Sequence, residues 1–249
     1  MIEARDLRKA FGTHQILDGV SFKIERGESV VIIGRSGGGK SVLLKQLVGL
    51  LKPDSGQVLI EGEDIVPMNE RSLLRVRAKF GVLFQGAALF DSMTVAENIA
   101  FPFRQRKDLS PADISKKVSD ALEVVELPGT QNKKPSELSG GMRKRVGLAR
   151  AIVYEPEIVL YDEPTTGLDP IVSDSIDKLI IRVRDQLNVT CIVVTHDMRS
   201  ARRVGNRILM LHDKRIYTSG TPDDIFSSQD PIVRRFIDGV SDPKEYLLI

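Results

Sequence analysis

One eight-residue segment limits the fold of this chain more than any other feature: Gly34, Arg35, Ser36, Gly37, Gly38, Gly39, Lys40 and Ser41. It follows the apolar run Val30–Ile33 and precedes the helix-compatible run Val42–Leu51. The pattern GxxxxGK[ST] between a strand and a helix predicts a loop whose main-chain N–H groups surround a phosphate. Lys40 would then reach the outer phosphates, and the Ser41 hydroxyl would bind Mg²⁺. A glycine-rich turn that only joins a strand to a helix is the alternative, but it would not require Lys-Ser.

Four further apolar runs share the character of Val30–Ile33. They are too short for helices and too continuous for half-exposed strands, so they predict buried parallel strands. With helix-compatible segments between them, they indicate an α/β sheet covered by helices on both faces. These runs are Val82–Phe84, Ile158–Tyr161, Cys191–Val194 and Ile208–Leu211.

The segments around this sheet are predicted to differ from it. The first 30 residues and Gln57–Gly62 read as strand-rich, with turn signals at Asp18-Gly19 and Arg26-Gly27, which suggests a small antiparallel layer. Residues 86–155 read as mainly helical, with Met142, Val146, Ala149 and Val153 spaced to form one apolar stripe. Helix starts are predicted where a capping side chain precedes a proline, at Ser110-Pro111, Asp169-Pro170 and Thr221-Pro222.

Composition excludes several classes of protein. Lys plus Arg total 36 and Asp plus Glu total 34 in 249 residues, a balance that argues against a dedicated nucleic-acid binder. The single cysteine, Cys191, permits no internal disulfide and fits a reducing compartment, for which the cytoplasm is the simplest choice. We see no signal peptide at the N-terminus and no run of about 18 uncharged apolar residues that would span a membrane.

Acidic residues follow the predicted strand Ile158–Tyr161. Asp162 and Glu163 would point to opposite sides, since side chains alternate along a strand. We therefore expect Asp162 to bind Mg²⁺ through its water shell and Glu163 to polarise the attacking water as a general base. A solvated acidic turn is the alternative, which is weakened because ligands of open α/β sheets bind at the carboxyl ends of strands.

Two more polar residues follow predicted strands at the same edge. His196 follows Cys191–Thr195 and is interpreted as a γ-phosphate contact, although a lone histidine is usually structural. Gln85 follows Val82–Phe84, and its amide would bind Mg²⁺ or the attacking water; the alternative is a capped strand end.

A second glycine-rich helix start lies at Leu138-Ser139-Gly140-Gly141-Met142. Its hydroxyl and helix N-terminus suit an anion, although a simple Ser N-cap would explain it too. Since one phosphate loop already serves one nucleotide, this extra site makes most sense facing the nucleotide of a second copy of the chain.

In combination these residues resemble the nucleotide-binding subunit of ABC transporters, from Ile2 to about Gly239. The resemblance implies an α/β P-loop NTPase (RecA-like) core with an antiparallel β sub-domain, formed by residues 1–85 and 156–228, and an inserted helical sub-domain at 86–155. It also implies that Phe11 stacks on adenine, for which a core aromatic is the alternative. The family motifs map onto these residues: Gly34–Ser41 as Walker A, Gln85 as the Q-loop, Leu138–Met142 as the signature motif, Ile158–Asp162 as Walker B followed by Glu163, Gly167–Asp169 as the D-loop, and His196 as the switch histidine.

The resemblance also implies partners. Two copies would pair head to tail, with each ATP between one chain's phosphate loop and the other's Ser139-Gly140-Gly141, and residues around Gln85–Phe103 would receive a short helix of a membrane permease. The stretches 83–95, 139–142 and 230–236 narrow the match to the ATPases of the Mla or Mce lipid transport systems. That group implies a place on the cytoplasmic face of the inner membrane, periplasmic lipid-binding proteins in the complex, a STAS-type regulator, and a C-terminal tail, residues 229–249, that contacts the neighbouring ATPase.

Two other functions are weighed against a transport ATPase. One is a soluble assembly or scaffold ATPase with the same fold and no permease. The other is a nucleotide or small-molecule kinase, which would not need the second glycine-rich helix start at Ser139.

Overall fold

The structure is a computed structural model that describes residues 1–104 and 109–241. The predicted tail at 229–249 lies only partly within this range. Its residues Tyr246, Leu247 and Leu248 lie outside the described residues.

Ten strands form two sheets within the described residues, and one of the sheets is mostly parallel. The strands are β1 (Ile2–Phe11), β2 (His14–Ile24), β3 (Ser29–Ile33), β4 (Ser55–Ile60), β5 (Glu63–Asp64), β6 (Phe80–Leu83), β7 (Ile158–Asp162), β8 (Thr190–Thr195), β9 (Arg207–His212) and β10 (Arg215–Gly220).

Nine α-helices pack around these sheets in the part of the chain that is described. They are α1 (Lys40–Leu47), α2 (Glu70–Arg77), α3 (Val95–Ala100), α4 (Pro111–Val124), α5 (Gly140–Ile152), α6 (Pro170–Leu187), α7 (Met198–Val204), α8 (Pro222–Ser227) and α9 (Pro231–Asp238).

The larger sheet has the order β10-β9-β3-β8-β7-β6, and only the β9–β10 pair is antiparallel. Its central strands are buried on both faces, which explains why their sequences are continuously apolar. In β3 the side chains of Val31 and Ile33 join the core beneath α3–α7, whereas those of Val30 and Ile32 join the core shared with α1 and the smaller sheet. The predicted α/β class, with buried parallel strands and helices on both faces, is confirmed.

The smaller sheet is antiparallel, with the order β2-β1-β4-β5. The predicted turn at Asp18-Gly19 is wrong, because both residues lie inside β2. The pairing of β2 with β1 slips at Gly19, which has φ 81°, and such a bulge needs the same positive φ as a turn. The chain reverses instead at Gly12-Thr13, while the predicted turn at Arg26-Gly27 is present.

Helix starts agree with the capping pattern of the sequence. Ser110, Asp169 and Thr221 each accept a hydrogen bond from an N–H group in the first turn of α4, α6 and α8. The apolar stripe predicted for α5 is too narrow, because this helix contacts β6, α3, α4 and α6 and is buried on most sides. Met142, assigned to that stripe, is only partly buried.

Within residues 1–104 and 109–241, none of the helices combines the length and the apolar character needed to cross a membrane.

Candidate nucleotide site

The predicted phosphate loop joins β3 to α1 as the sequence indicates. Gly39 is the N-cap of α1, with φ 96°, and a Cβ atom there would lie 2.9 Å from Ile16 Cγ2. A Cβ atom on Gly34 would lie 2.5 Å from the carbonyl oxygen of Leu211, which leaves no room for a side chain. Arg35 and Ser36 are exposed at the tip of the loop. The loop therefore presents main chain and the positive end of α1 to an anion.

Lys40 is the buried cation of this loop, only 6% exposed. Its Nζ donates hydrogen bonds to the carbonyl oxygens of Gly34 at 2.8 Å and Arg35 at 3.0 Å. The same atom lies 3.8 Å from Glu163 Oε1. Burial lowers the pKa of Lys40, and the carboxylates of Glu163 and Asp162 oppose that effect. The ammonium thus lies between the phosphate loop and the acidic pair.

Ser41 and Asp162 bring two oxygen ligands together. The Ser41 hydroxyl donates to Asp162 Oδ1 at 3.0 Å, across the gap between α1 and the end of β7. Burial raises the pKa of the Asp162 carboxyl, and the hydrogen bond from Ser41 opposes this. Hydroxyl and carboxylate oxygens beside a phosphate loop are the donor set that Mg²⁺ prefers, so these residues fit that ion.

Glu163 is held by three polar neighbours although it is only 8% exposed. Its Oε2 lies 2.8 Å from His196 Nδ1 and accepts a hydrogen bond from Thr166 Oγ1 at 3.0 Å, and its Oε1 faces Lys40. Side-chain alternation along β7 does not separate the two carboxylates as predicted, since β7 ends at Asp162 and Glu163 lies beyond it with φ 51°. This backbone turn directs the Glu163 carboxylate toward His196.

Gln85 is placed differently from the other strand-end residues. β6 runs from Phe80 to Leu83, so it begins and ends earlier than the predicted run Val82–Phe84. Gln85 therefore lies two residues beyond the strand, with its side chain exposed. Its main chain is held by Lys144, whose Nζ donates a hydrogen bond to the Gln85 carbonyl oxygen. Its assignment to Mg²⁺ and the attacking water stays a prediction.

The second glycine-rich segment begins α5. Ser139 is exposed, and its hydroxyl accepts a hydrogen bond from the N–H of Met142 at 3.2 Å, which confirms the N-cap. A Cβ atom on Gly141 would lie 2.6 Å from Val172 Cγ1, and one on Gly140 would lie 3.2 Å from Leu168 Cδ2. The two glycines thus let the start of α5 pack closely on the segment that leads into α6.

Phe11 is half exposed, at 51%, at the end of β1. The alternative that it is a core aromatic is therefore wrong. Lys9 Nζ lies 5.5 Å from its ring centroid. An exposed ring of this kind leaves a face open to a base.

Two side chains of the site escaped the sequence interpretation. No sequence pattern marks Thr166, whose hydroxyl donates to Glu163. Lys144 is a lysine on a helix of mixed composition, yet it is 6% exposed and also donates to the carbonyl oxygen of Glu163 at 3.2 Å. The only signal for Lys144 was a charged residue three positions after Gly141 and four before Leu148, on a buried face of α5.

A family model described as "ABC transporter" matches residues 17–166, more than half of the chain. This range contains the phosphate loop, the start of α5, and Glu163, but it ends before His196.

Two relatives and one solved structure agree with this match. A probable ribonucleotide transport ATP-binding protein, mkl, of Mycobacterium leprae is 43% identical, over 96% of this chain and 69% of that protein. The intermembrane phospholipid transport system ATP-binding protein MlaF of Escherichia coli is 39% identical, over 97% of this chain and 90% of that protein. The dimeric structure of the ATP-binding cassette MJ0796, in a post-hydrolysis state bound to ADP and Pi, superposes with a TM-score of 0.81. It is 33% identical and covers 89% of this chain and 99% of that chain.

The resemblance stated from the motifs is thus confirmed, including its narrower form, since the Escherichia coli relative belongs to an Mla system. The kinase and assembly-protein alternatives gain no support from these matches. The chain belongs to the ABC transporter family.

Proposed function

We propose that this chain is the ATP-binding and ATP-hydrolysing subunit of a transporter that moves phospholipid or another hydrophobic solute across the inner membrane with a separate permease. The observation that carries the hydrolytic part is the Glu163 carboxylate. It is buried against His196 and Thr166, and it lies 3.8 Å from the lysine of the phosphate loop. A carboxylate so placed is suited to accept a proton from water beside a bound phosphate.

Different residues of the site have different roles in ATP binding and hydrolysis. The N–H groups of residues 34–39 and the start of α1 bind the phosphates, and the Lys40 ammonium neutralises the outer charges. Ser41, Asp162 and Gln85 would hold Mg²⁺, which would supply positive charge to neutralise the bound phosphates. Glu163 takes the proton of the attacking water, and His196 orients both the carboxylate and the γ-phosphate. Phe11 stacks on the adenine ring.

Replacing Glu163 with Gln tests this assignment. Turnover of Mg-ATP by the full chain should fall by about 10²- to 10⁴-fold, because an amide cannot take the proton, while ATP binding is retained. Phosphate release and equilibrium dialysis with ATP measure the two quantities. Glu123→Gln, at an exposed residue of α4 outside the site, is the matched control and should keep the rate of the unchanged protein. Equal turnover of Glu163→Gln and the control would remove Glu163 from its role.

A second copy of the chain completes the site in this proposal. Ser139 is exposed, and within residues 1–104 and 109–241 its hydroxyl hydrogen-bonds only to the start of its own helix. Ser139, Gly140 and Gly141 would therefore face the γ-phosphate held by the partner's loop. The solved relative that superposes on this chain is a dimer. The tail at 229–249 is proposed as a further contact between the two copies.

The permease would dock between the sheet core and the region 86–155, which we propose as a helical sub-domain. A groove of about 420 Å³ lies there. Phe84, Phe90 and Phe101 line it and are each more than a third exposed. The rings of Phe90 and Phe101 lie 4.5 Å apart. Exposed aromatic side chains of this kind are typical of a protein–protein contact, and a short apolar helix fits the groove.

Lipid as the cargo is supported by the phospholipid transport system named for the Escherichia coli relative. The name of the Mycobacterium leprae relative gives a different solute. We extend the proposal to the cytoplasmic face of the inner membrane, to periplasmic lipid-binding proteins in the same complex, and to a STAS-type regulator. Purifying the native complex and identifying its bound lipid by mass spectrometry tests the cargo; a complex without a permease would favour the assembly ATPase.

A further inference from the structure

Lys144 places an ammonium group at a buried position of α5. It lies on the same side of the helix as Gly141, Leu148 and Ala151, all of which are buried. The lysine is itself only 6% exposed. Burial lowers its pKa, and the carboxylates of Asp162 and Glu163 oppose that effect. Because a lysine is costly to bury without partners, its contacts need an explanation.

The ammonium joins two segments that follow different strands. Its Nζ donates to the carbonyl oxygen of Gln85, beyond β6, and to the carbonyl oxygen of Glu163, beyond β7, at 3.2 Å. One group on α5 thereby connects the main chain of two of the residues to which hydrolysis is assigned.

The contact with Glu163 matters because that residue has an unusual backbone. Glu163 has φ 51°, a region that residues other than Gly, Asn and Asp rarely occupy. Its N–H donates to the carbonyl oxygen of Val194 at 2.9 Å, and its own carbonyl oxygen accepts from Lys144. The peptide groups on both sides of Glu163 are thus fixed, one by β8 and the other by α5. The direction of its carboxylate depends on both.

Arg150, on the same helix, makes it possible to test the two contacts of Lys144 independently. Its guanidinium donates to the carbonyl oxygens of Ala87 at 2.7 Å and Ala88 at 2.8 Å. Both cations therefore hold the loop that begins at Gln85. Arg150 contacts this loop but not Glu163, whereas Lys144 contacts both. A variant of Arg150 weakens the loop contact and leaves the Glu163 contact in place.

We propose that Lys144 is a positioning residue for ATP hydrolysis: it fixes the backbone of Glu163 relative to Gln85 and α5, so that the carboxylate turns toward the attacking water when the helix beginning at Ser139 meets a nucleotide. The inference rests on the proposed roles of Glu163 and Gln85. It adds that a shift of α5 is transmitted to the general base within one chain, through a single side chain.

Steady-state kinetics of the full chain test the proposal. Lys144→Met keeps the length of the side chain and removes its N–H donors, so kcat should fall by about 10- to 100-fold, the typical effect of misplacing a reacting group by about 1 Å. The KM for ATP should change by less than about threefold, since the residues that bind phosphate are untouched. Lys144→Gln retains two N–H donors and should recover part of kcat. It also serves in place of Lys144→Met if that variant does not fold.

Two comparisons distinguish positioning from a general loss of stability. Arg150→Met should lower kcat clearly less than Lys144→Met. In the Glu163→Gln background, the Lys144 variant should cause little further loss, because the group that it positions is already gone.

Three results would overturn the inference. These are unchanged kcat in both Lys144 variants, an equal loss in Arg150→Met, and losses that multiply in the double variant. If Glu163→Gln itself keeps full turnover, the proposed role of Glu163 is wrong. If Glu163→Gln loses turnover but both Lys144 variants keep it, only the role of Lys144 is wrong.

Discussion

Asp177 carries a buried carboxyl group outside the nucleotide site. It is 4% exposed, and the Ser200 hydroxyl lies 2.7 Å from its Oδ1. Burial, together with the negative charge of Asp197, raises its pKa from 3.8 to about 6, and the hydrogen bond from Ser200 opposes this shift. The folded protein therefore holds this proton more tightly than the unfolded chain. The stability contributed by Asp177 is full below about pH 4 and is lost as the pH rises through about 6.

Replacing Asp177 with Asn should stabilise the protein at neutral pH. Asn is uncharged and its amide oxygen still accepts from Ser200, so the gain at pH 7.5 should reach up to about 3 kcal/mol and shrink between pH 6 and pH 4. Thermal melting across this range measures it. Asp120→Asn, at an exposed position on α4, is the control. A gain independent of pH, or a loss at pH 7.5, would contradict the argument.

Among single residues, the sequence predicted the position of polar side chains that directly follow buried strands. Lys40, Ser41, Asp162, Glu163 and His196 do lie together, because the carboxyl ends of parallel strands meet at one edge of the sheet. Lys144 could not be found in that way. Its partners are carbonyl oxygens, which every residue carries, so no side-chain pattern marks them.

At the scale of elements, β6 and α5 pack almost backbone to backbone. A Cβ atom on Gly147, in the middle of α5, would lie 2.8 Å from Leu83 Cδ1 and 3.1 Å from the Cβ of Ala87. Across the contact, a Cβ atom on Gly81 would lie 2.2 Å from the carbonyl oxygen of Ala151. Glycine at both positions brings the helix close enough for its cations to reach the residues beyond β6.

Gly147→Ala sets helix propensity against packing. Propensity alone would stabilise α5 by about 1 kcal/mol, whereas overpacking costs about 1 to 3 kcal/mol, so we expect net destabilisation. Urea unfolding gives the sign. Ser115→Ala, at an exposed site on α4, should be neutral or slightly stabilising. If Gly147→Ala were as stable as that control, α5 and β6 would have more room than the structure indicates.

The elements themselves were largely predictable. Continuous apolar runs mark strands buried on both faces, and Ser or Asp before Pro marks a helix start, since each is a local requirement. Asp18-Gly19 shows the limit: a turn and a bulge both use a glycine with positive φ, and only the pairing with β1 distinguishes them. The extent of burial around α5 was also out of reach, because it depends on neighbours distant in sequence.

For the whole molecule, the central prediction is that two copies close on ATP. Glu163→Gln should form a dimer with Mg-ATP, because ATP bound at both interfaces is no longer hydrolysed. Adding Ser139→Arg should block closure, since a long cation would replace a small hydroxyl at the interface, while ATP still binds to the residues of its own chain. Light scattering after gel filtration measures the mass.

Ser136→Arg, an exposed site near the start of α5, is the control for the added charge and should still dimerise. A protein with Glu163→Gln that stays monomeric with ATP bound would rule out the paired arrangement.

The backbone of Glu163 also has a consequence for selection. A glutamate with φ 51° carries strain of about 1 kcal/mol or more that glycine would not. A library screened only for heat resistance would therefore enrich Gly or Asn at this position and silence the enzyme. Retention of Glu at this position in natural sequences would then indicate selection for ATP turnover over thermal stability.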